Sequence, residues 1–218
     1  LAYASTTYPT QFPAPSWAEQ DPNDWWDALG KSVRKAISDS GISVDQIAAM
    51  AVDTTCCSVV ALDDSGNPVR PALIWMDVRS AEQAEQMVAT GDDALRINSN
   101  GSGPVSAEWM IPKALWIKQN EPYNFDRAVT ICEFQDYINL HLTGRLGASI
   151  NNVSTRWHCD YTENGVPKSL LEKLDLGELA EKWPQDVFRL GELVGGLTPR
   201  AAEHLGLTPD LPVVQGGA

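Results

Sequence analysis

A Trp-rich acidic run, Ser16-Trp17-Ala18-Glu19-Gln20-Asp21-Pro22-Asn23-Asp24-Trp25-Trp26, does most to restrict how this 218-residue chain can fold. Its acidic and Asn residues can cap a helix, and the acids suit the positive end of the helix dipole. Trp26, Leu29, Val33 and Ile37 then recur at three- and four-residue spacing, which predicts an amphipathic helix that Gly41 ends. A second run, Pro71-Ala72-Leu73-Ile74-Trp75-Met76-Asp77-Val78-Arg79, reads as an apolar strand closing in Trp-x-Asp-x-Arg.

Around these two anchors the chain alternates short apolar runs with helical periods. A strand is expected at Ala2–Thr7, followed by a Pro-rich extended segment (Pro9, Pro13, Pro15) that cannot be a central strand. Ile47–Val52 and Ser58–Leu62 read as strands. A turn at Asp64-Ser65-Gly66-Asn67-Pro68 returns the chain as a strand over Val69–Trp75, so 58–75 is a hairpin. Helices are expected at Arg79–Ala89, at Ala107–Lys118 with Pro112 in its first turn, and at Phe134–Leu142 up to Gly144. Residues 98–105 read as a loop, Ala128–Cys132 as a strand and 145–160 as strand and loop. Helices follow at Lys168–Leu174, Leu179–Trp183 and 198–206, with Pro199 early and Gly206 after the end. Leu211–Val214 is a last strand. Strands alternating with helices define an α/β class, and the length allows one large domain or two small ones with a real core.

The net charge of −13 leaves no basic stripe for phosphates, which argues against nucleic acid and against an anionic membrane surface. No charged-then-apolar leader opens the chain and no run of 18 apolar residues occurs, so neither secretion nor membrane spanning is expected. The four cysteines, Cys56, Cys57, Cys132 and Cys159, form no C-x-x-C pair and too few bridges for a disulfide framework. A reduced, cytoplasmic compartment is the expectation. Phosphate-loop, dinucleotide, zincin and hydrolase-elbow motifs are all missing.

Candidate chemistry falls in four places. Asp53-Thr54-Thr55-Cys56-Cys57-Ser58 puts hydroxyls, a carboxylate and backbone N–H groups at a strand end, which is either a polar junction or a ligand-facing edge. Asp77 caps a helix or meets a ligand, and Arg79 pairs with a carboxylate or does the same. In Ser106-Ala107-Glu108-Trp109, Glu108 suits a helix first turn and Trp109 is either core or an aromatic wall for a polyol. Lys113, one turn on, reads as solvated or ion-paired. In Ser154-Thr155-Arg156-Trp157, Arg156 is a surface ion pair or a multidentate donor to hydroxyls or phosphate. Paired carboxylates for glycoside hydrolysis have little support, since 29 acids guarantee chance pairs.

Taken in this order, Ser16–Trp26, Pro71–Arg79, Asp53–Cys56 and Ser106–Trp109 resemble the N-terminal half of the FGGY family of carbohydrate kinases, and most closely its ribulokinase-like branch. The resemblance covers the whole chain. It implies an actin-like (ribonuclease-H-like) ATPase fold with a mixed sheet flanked by helices. Residues 1–218 would be the sugar-binding N-terminal domain, truncated at both ends, with the first strands and the C-terminal ATP-binding domain absent. It implies that Thr55, Cys56 and Cys57 line a sugar site, that Glu108 and Trp109 face the substrate, and that Arg156 stands where ribulokinases carry a Lys. Asp77 and Arg79 would lie at a strand–helix junction close by. Gly216 and Gly217 match the family's Gly-rich cofactor stretch, and the catalytic Asp would follow just beyond Ala218.

The complete enzyme is therefore expected to use ATP and Mg to phosphorylate a ketopentose or pentitol. The piece alone, without phosphate loop or base, should bind no cofactor and show negligible activity. The alternative is a stand-alone, non-enzymatic sugar-binding or interaction domain. Its partner would be a small sugar or polyol, and unpaired sheet edges would favour a homodimer.

Overall fold

Alternation along two short strands divides the core. Val59, Ala61 and Leu73 enter one apolar cluster, whereas Val60, Leu62, Ala72 and Ile74 enter another. The computed structural model describes residues 1–98, 105–160 and 165–217. Its elements run β1 (Glu19–Gln20), α1 (Pro22–Ser40), β2 (Met50–Val52), β3 (Val59–Leu62), β4 (Ala72–Leu73), α2 (Ala81–Ala89), α3 (Met110–Asn120), α4 (Pro122–Arg127), β5 (Thr130–Glu133), α5 (Phe134–Thr143), β6 (Ala148–Ser149), α6 (Ile150–Thr155), α7 (Lys168–Lys173), α8 (Leu179–Lys182), β7 (Val187–Phe188), β8 (Leu193–Gly196), α9 (Pro199–Leu205) and β9 (Pro212–Gln215).

One sheet has the order β1-β4-β3-β5 with every pair antiparallel. Antiparallel sheets often leave one face to water; here both faces are covered. Residues of α3, α4, α6, α7 and α8 pack in the first cluster, and those of α1, α5 and α9 in the second. The mixed sheet is β2-β9-β8, in which β2 and β9 are parallel and β8 is antiparallel with a bulge. A short parallel pair, β6-β7, completes the strands. The architecture is α/β, with helices flanking sheets.

Helix boundaries follow local chemistry. The Asp21 carboxylate accepts from the Asn23 N–H at the start of α1, and the Thr198 hydroxyl accepts from the Ala201 N–H at the start of α9. Gly41, Gly144 and Gly206 close α1, α5 and α9 in left-handed conformation, with φ of 67°, 71° and 70°. No helix among the described residues is long and apolar enough to cross a membrane.

Several expectations need correction. Ala2–Thr7 is not a strand: it joins no sheet, its Thr6 hydroxyl accepting instead from Ser32 on α1, and the first ladder contact is the bridge between Gln11 and Glu19. Of Val69–Trp75 only Ala72–Leu73 is strand, because Arg70 turns aside to pair with Glu19 and Glu121 and Trp75 is 48% exposed. Residues 145–160 contain α6, whose Asn, Ser and Thr content hides it; buried Asn152 and Val153 hold it in place. The strands β7 and β8 were not anticipated. The expected loop at 98–105 lies mostly outside the described residues.

Candidate functional site

At the end of β2 the chain must leave the mixed sheet and enter β3 within six residues. Asp53 and Thr55 are exposed there, Cys56 is half-buried and Cys57 is buried. Cys57 takes a left-handed backbone (φ 63°), which is uncommon for a side chain of this kind and needs outside support. Two buried groups supply it. The Lys113 ammonium donates to the Cys57 carbonyl at 2.7 Å, and also to the carbonyls of Ile74 (2.8 Å) and Leu73 (3.3 Å). The Glu133 carboxylate accepts from the Ser58 N–H at 2.8 Å and from the Trp157 indole at 3.3 Å.

Lys113 is thus neither solvated nor paired with a side chain, as its sequence context suggested. It is fully buried on α3, where every residue from Met110 to Ile117 is buried. Burial pulls its pKa down to about 8, against the opposing pull of Glu133, Cys57, Asp77 and Glu108. Burial raises the Glu133 carboxyl and drives that of Asp136 well above the usual range; Asp136 accepts from the Glu133 N–H at 2.9 Å. The Cys57 thiol is pushed up to about 12, first by burial and then by Glu133, so it is no nucleophile at neutral pH.

The end of α6 faces this junction. The Arg156 guanidinium lies 3.5 Å from the Cys56 sulfur and donates to the Thr155 hydroxyl. Two residues on, His158 stands with φ 56° and its ring packs against Trp109, with centroids 5.4 Å apart. Its Nε2 is 3.3 Å from the Asn98 amide, while Nδ1 is buried without a hydrogen-bond partner. Burial pulls the imidazole down to about 4, so it is neutral at pH 7. Glu108 and Trp109 occupy the turn before α3, which begins three residues later than expected; both are part-exposed. Thr55, Cys56, Cys57, Glu108, Trp109 and Arg156 therefore belong to one region, drawn together by Lys113 and His158.

Asp77 and Arg79 are placed differently. They form a bidentate pair (2.7–3.0 Å) with both side chains buried, and Arg79 also reaches Glu19 at 2.8 Å. The guanidinium stacks over Trp17 at 3.8 Å and Trp116 at 4.8 Å. Asp77 accepts from the Ala18 N–H. The pair is turned into the protein and ties the start of the chain to the end of β4.

Gly216 and Gly217 leave β9 beside Asp53. A Cβ on Gly216 would meet the Val52 carbonyl at 2.0 Å, and one on Gly217 would meet the Asp53 carboxylate at 2.9 Å. The Gln135 amide donates to both Val52 and Gly217 carbonyls, so the parallel strand ends are fixed together. The close approach of the two strand ends is itself enough to require glycine at both positions. Among the described residues, no group of three His, Cys, Asp or Glu could hold a metal ion.

The sequence alone assigns no functional role to Glu133 or His158, and it reads Lys113 as solvated or ion-paired. Lys113 inside the apolar stretch Met110–Ile117, and Glu133 three residues before Asp136 at a strand end, are the signals that could have found two of them.

The whole chain, residues 1–218, matches the family described as the FGGY family of carbohydrate kinases, N-terminal domain. The xylulose kinase of Streptomyces coelicolor is 35% identical over 219 residues, which cover 91% of this chain and 44% of that protein. The ribulokinase of Shouchella clausii is 29% identical over 221 residues, covering 93% and 39%. The crystal structure of xylulose kinase from Rhodospirillum rubrum superposes with a TM-score of 0.85 at 27% identity, over 97% of this chain and 42% of that one. The fold is that of the actin-like ATPases. The chain belongs to the FGGY family of carbohydrate kinases and corresponds to its N-terminal domain. It spans less than half the length of these relatives.

Proposed function

We propose that residues 1–218 are the sugar-binding domain of an ATP-dependent kinase that phosphorylates a ketopentose or pentitol hydroxyl. The observation that carries the reading is the meeting of Arg156 with Cys56 beside the Trp109–His158 pair. A guanidinium supplies several donors in fixed directions, a carboxylate such as Glu108 accepts from hydroxyls, and an indole packs against sugar C–H faces. Together they suit a neutral polyhydroxylated ligand. Thr55 and the Cys56–Cys57 backbone form the floor of this wall.

Gly216 and Gly217 would border the ATP phosphates when nucleotide is bound; ATP supplies the transferable phosphoryl group. In this reading the proton-accepting role falls to an Asp of the full-length protein and not to a residue of this domain. Positioning and charge stabilisation are what phosphoryl transfer asks of a protein. This domain contributes the positioning of the acceptor.

The test is an ADP-release assay on the full-length protein with D-xylulose, D-ribulose and ribitol. Turnover on at least one of them, with residues 1–218 alone inactive, is expected. Binding of these sugars without any turnover would overturn the kinase reading in favour of a non-enzymatic sugar-binding domain, and neither binding nor turnover would overturn both.

A further inference from the structure

We propose that Lys113 and Glu133 act as paired positioning residues, gripping the two ends of a single peptide unit and so holding Thr55 and Cys56 in the sugar wall. This rests on the functional reading above and extends it to groups that touch no sugar. The Cys57 carbonyl and the Ser58 N–H belong to the same peptide bond. Lys113 donates to the oxygen and Glu133 accepts from the nitrogen. A buried cation and a buried anion thus bracket a peptide dipole, each placed at the end of opposite sign. The peptide is the one that follows the left-handed Cys57, so its orientation decides where Cys56 points. Cys56 in turn meets Arg156.

The arrangement also explains how the ammonium is tolerated. All three of its protons reach carbonyl oxygens from two segments, the Cys57 junction and the end of β4. A neutral amine has two protons and a lone pair, and the lone pair would face one of those carbonyls. The charged groups around it are Glu133 on β5, Asp77 after β4, Glu108 ahead of α3 and the Cys57 thiol. Asp77 is itself neutralised by Arg79, which leaves Glu133 as the principal support for the charge. In the folded protein Lys113 loses its proton near pH 8, well below its ordinary 10.5. The folded state then releases the proton before the unfolded state does. Between those two values this group therefore adds to stability as pH rises, while the grip on Cys57 weakens. Sugar affinity and fold stability are predicted to move in opposite directions.

In the full-length protein, KM for the pentulose, KM for ATP and kcat are measured from about pH 6.5 to about 9.5 for wild type, Lys113→Met and Glu133→Gln. The expected wild-type profile has the sugar KM rising through pH ~8 with the ATP KM flat. In Glu133→Gln the rise moves to lower pH, because the ammonium has lost its main support. In Lys113→Met the sugar KM is raised about tenfold at all pH values and the profile is flat. Cys56 alkylation by a maleimide gives a readout that needs no sugar: freeing the junction should speed it about tenfold in Lys113→Met. A wild-type sugar KM that is level across this range, or a folded Lys113→Met with unchanged sugar KM and Cys56 reactivity, would overturn the proposal. If Lys113→Met does not fold, the wild-type and Glu133→Gln profiles decide. Absence of turnover on every sugar would instead sink the functional reading, and Cys56 reactivity would still test the clamp.

Discussion

Arg79 and Arg156 show how the same residue type serves opposite ends. Arg156 is part-exposed and spends its donors on a thiol and a neighbouring hydroxyl, leaving capacity for a ligand. Arg79 is sealed between two indoles and two carboxylates. Removing one partner from a buried pair costs more than the pair contributes, because the remaining charge is stranded. Arg79→Met, which keeps the stem, should lower the unfolding free energy by about 3–5 kcal/mol in urea titration; a loss under about 1 kcal/mol would show that Asp77 finds other support. His158 makes a pH prediction. Its folded pKa of about 4 lies below the ordinary 6.5, so its contribution is complete above pH 6.5 and is lost as pH falls toward 4. The slope is worth on the order of 3 kcal/mol across that window. Subtracting the thermal stability of His158→Gln from that of wild type at each pH should isolate this decline; identical profiles would contradict it. Neither residue's surroundings could be read from the chain: Arg79 was open to two readings, and nothing near His158 in sequence announces Trp109 or Asn98.

Among elements, α1 and α9 were each legible from their end residues, whereas their packing on one another, which is sterically demanding, was not anticipated. Trp26 on α1 stacks on His204 of α9 with centroids 4.4 Å apart, and the imidazole Nε2 lies 2.9 Å from the Trp26 carbonyl. Gly30, one turn on, makes the space: a Cβ there would meet His204 Nε2 at 2.4 Å. Arg34 donates to the Glu203 and His204 carbonyls, satisfying the C-terminal end of α9. Gly30→Ala gains helix propensity worth up to about 1 kcal/mol, but overpacking typically costs about 1–3 kcal/mol. The clash should win, and a chemical melt should show a net loss; a gain would mean that His204 swings aside freely. The elements that were legible are those whose ends carry their own chemistry, such as Asp21, Thr198, Gly41, Gly144 and Gly206. Those that were missed, β1, α4, α6, β7 and β8, are short and depend on tertiary partners. Ala2–Thr7 failed for the converse reason: an apolar and Thr-rich run favours a strand only where another strand meets it.

For the molecule as a whole, the two apolar clusters on either face of the antiparallel sheet make a scaffold, and the candidate site grows from its margins. The polar junction after β2, the turn before α3 and the end of α6 are far apart in sequence, and β3, β5 and α3 bring them together. Fold class and the polar clusters of the candidate site were legible because punctuation and polar runs are local. The supports were not, because Lys113 and Glu133 have meaning only through carbonyls and amides contributed by distant segments. The most direct measurement is a crystal structure of the full-length protein with its pentulose bound. Sugar hydroxyls within hydrogen-bond reach of Arg156, Glu108 and the Thr55–Cys57 backbone, with the ring or chain lying on Trp109, is the result predicted. A sugar seated elsewhere, for example in the roughly 360 Å³ cavity lined by Trp26, His141, Thr198 and Arg200, would contradict it.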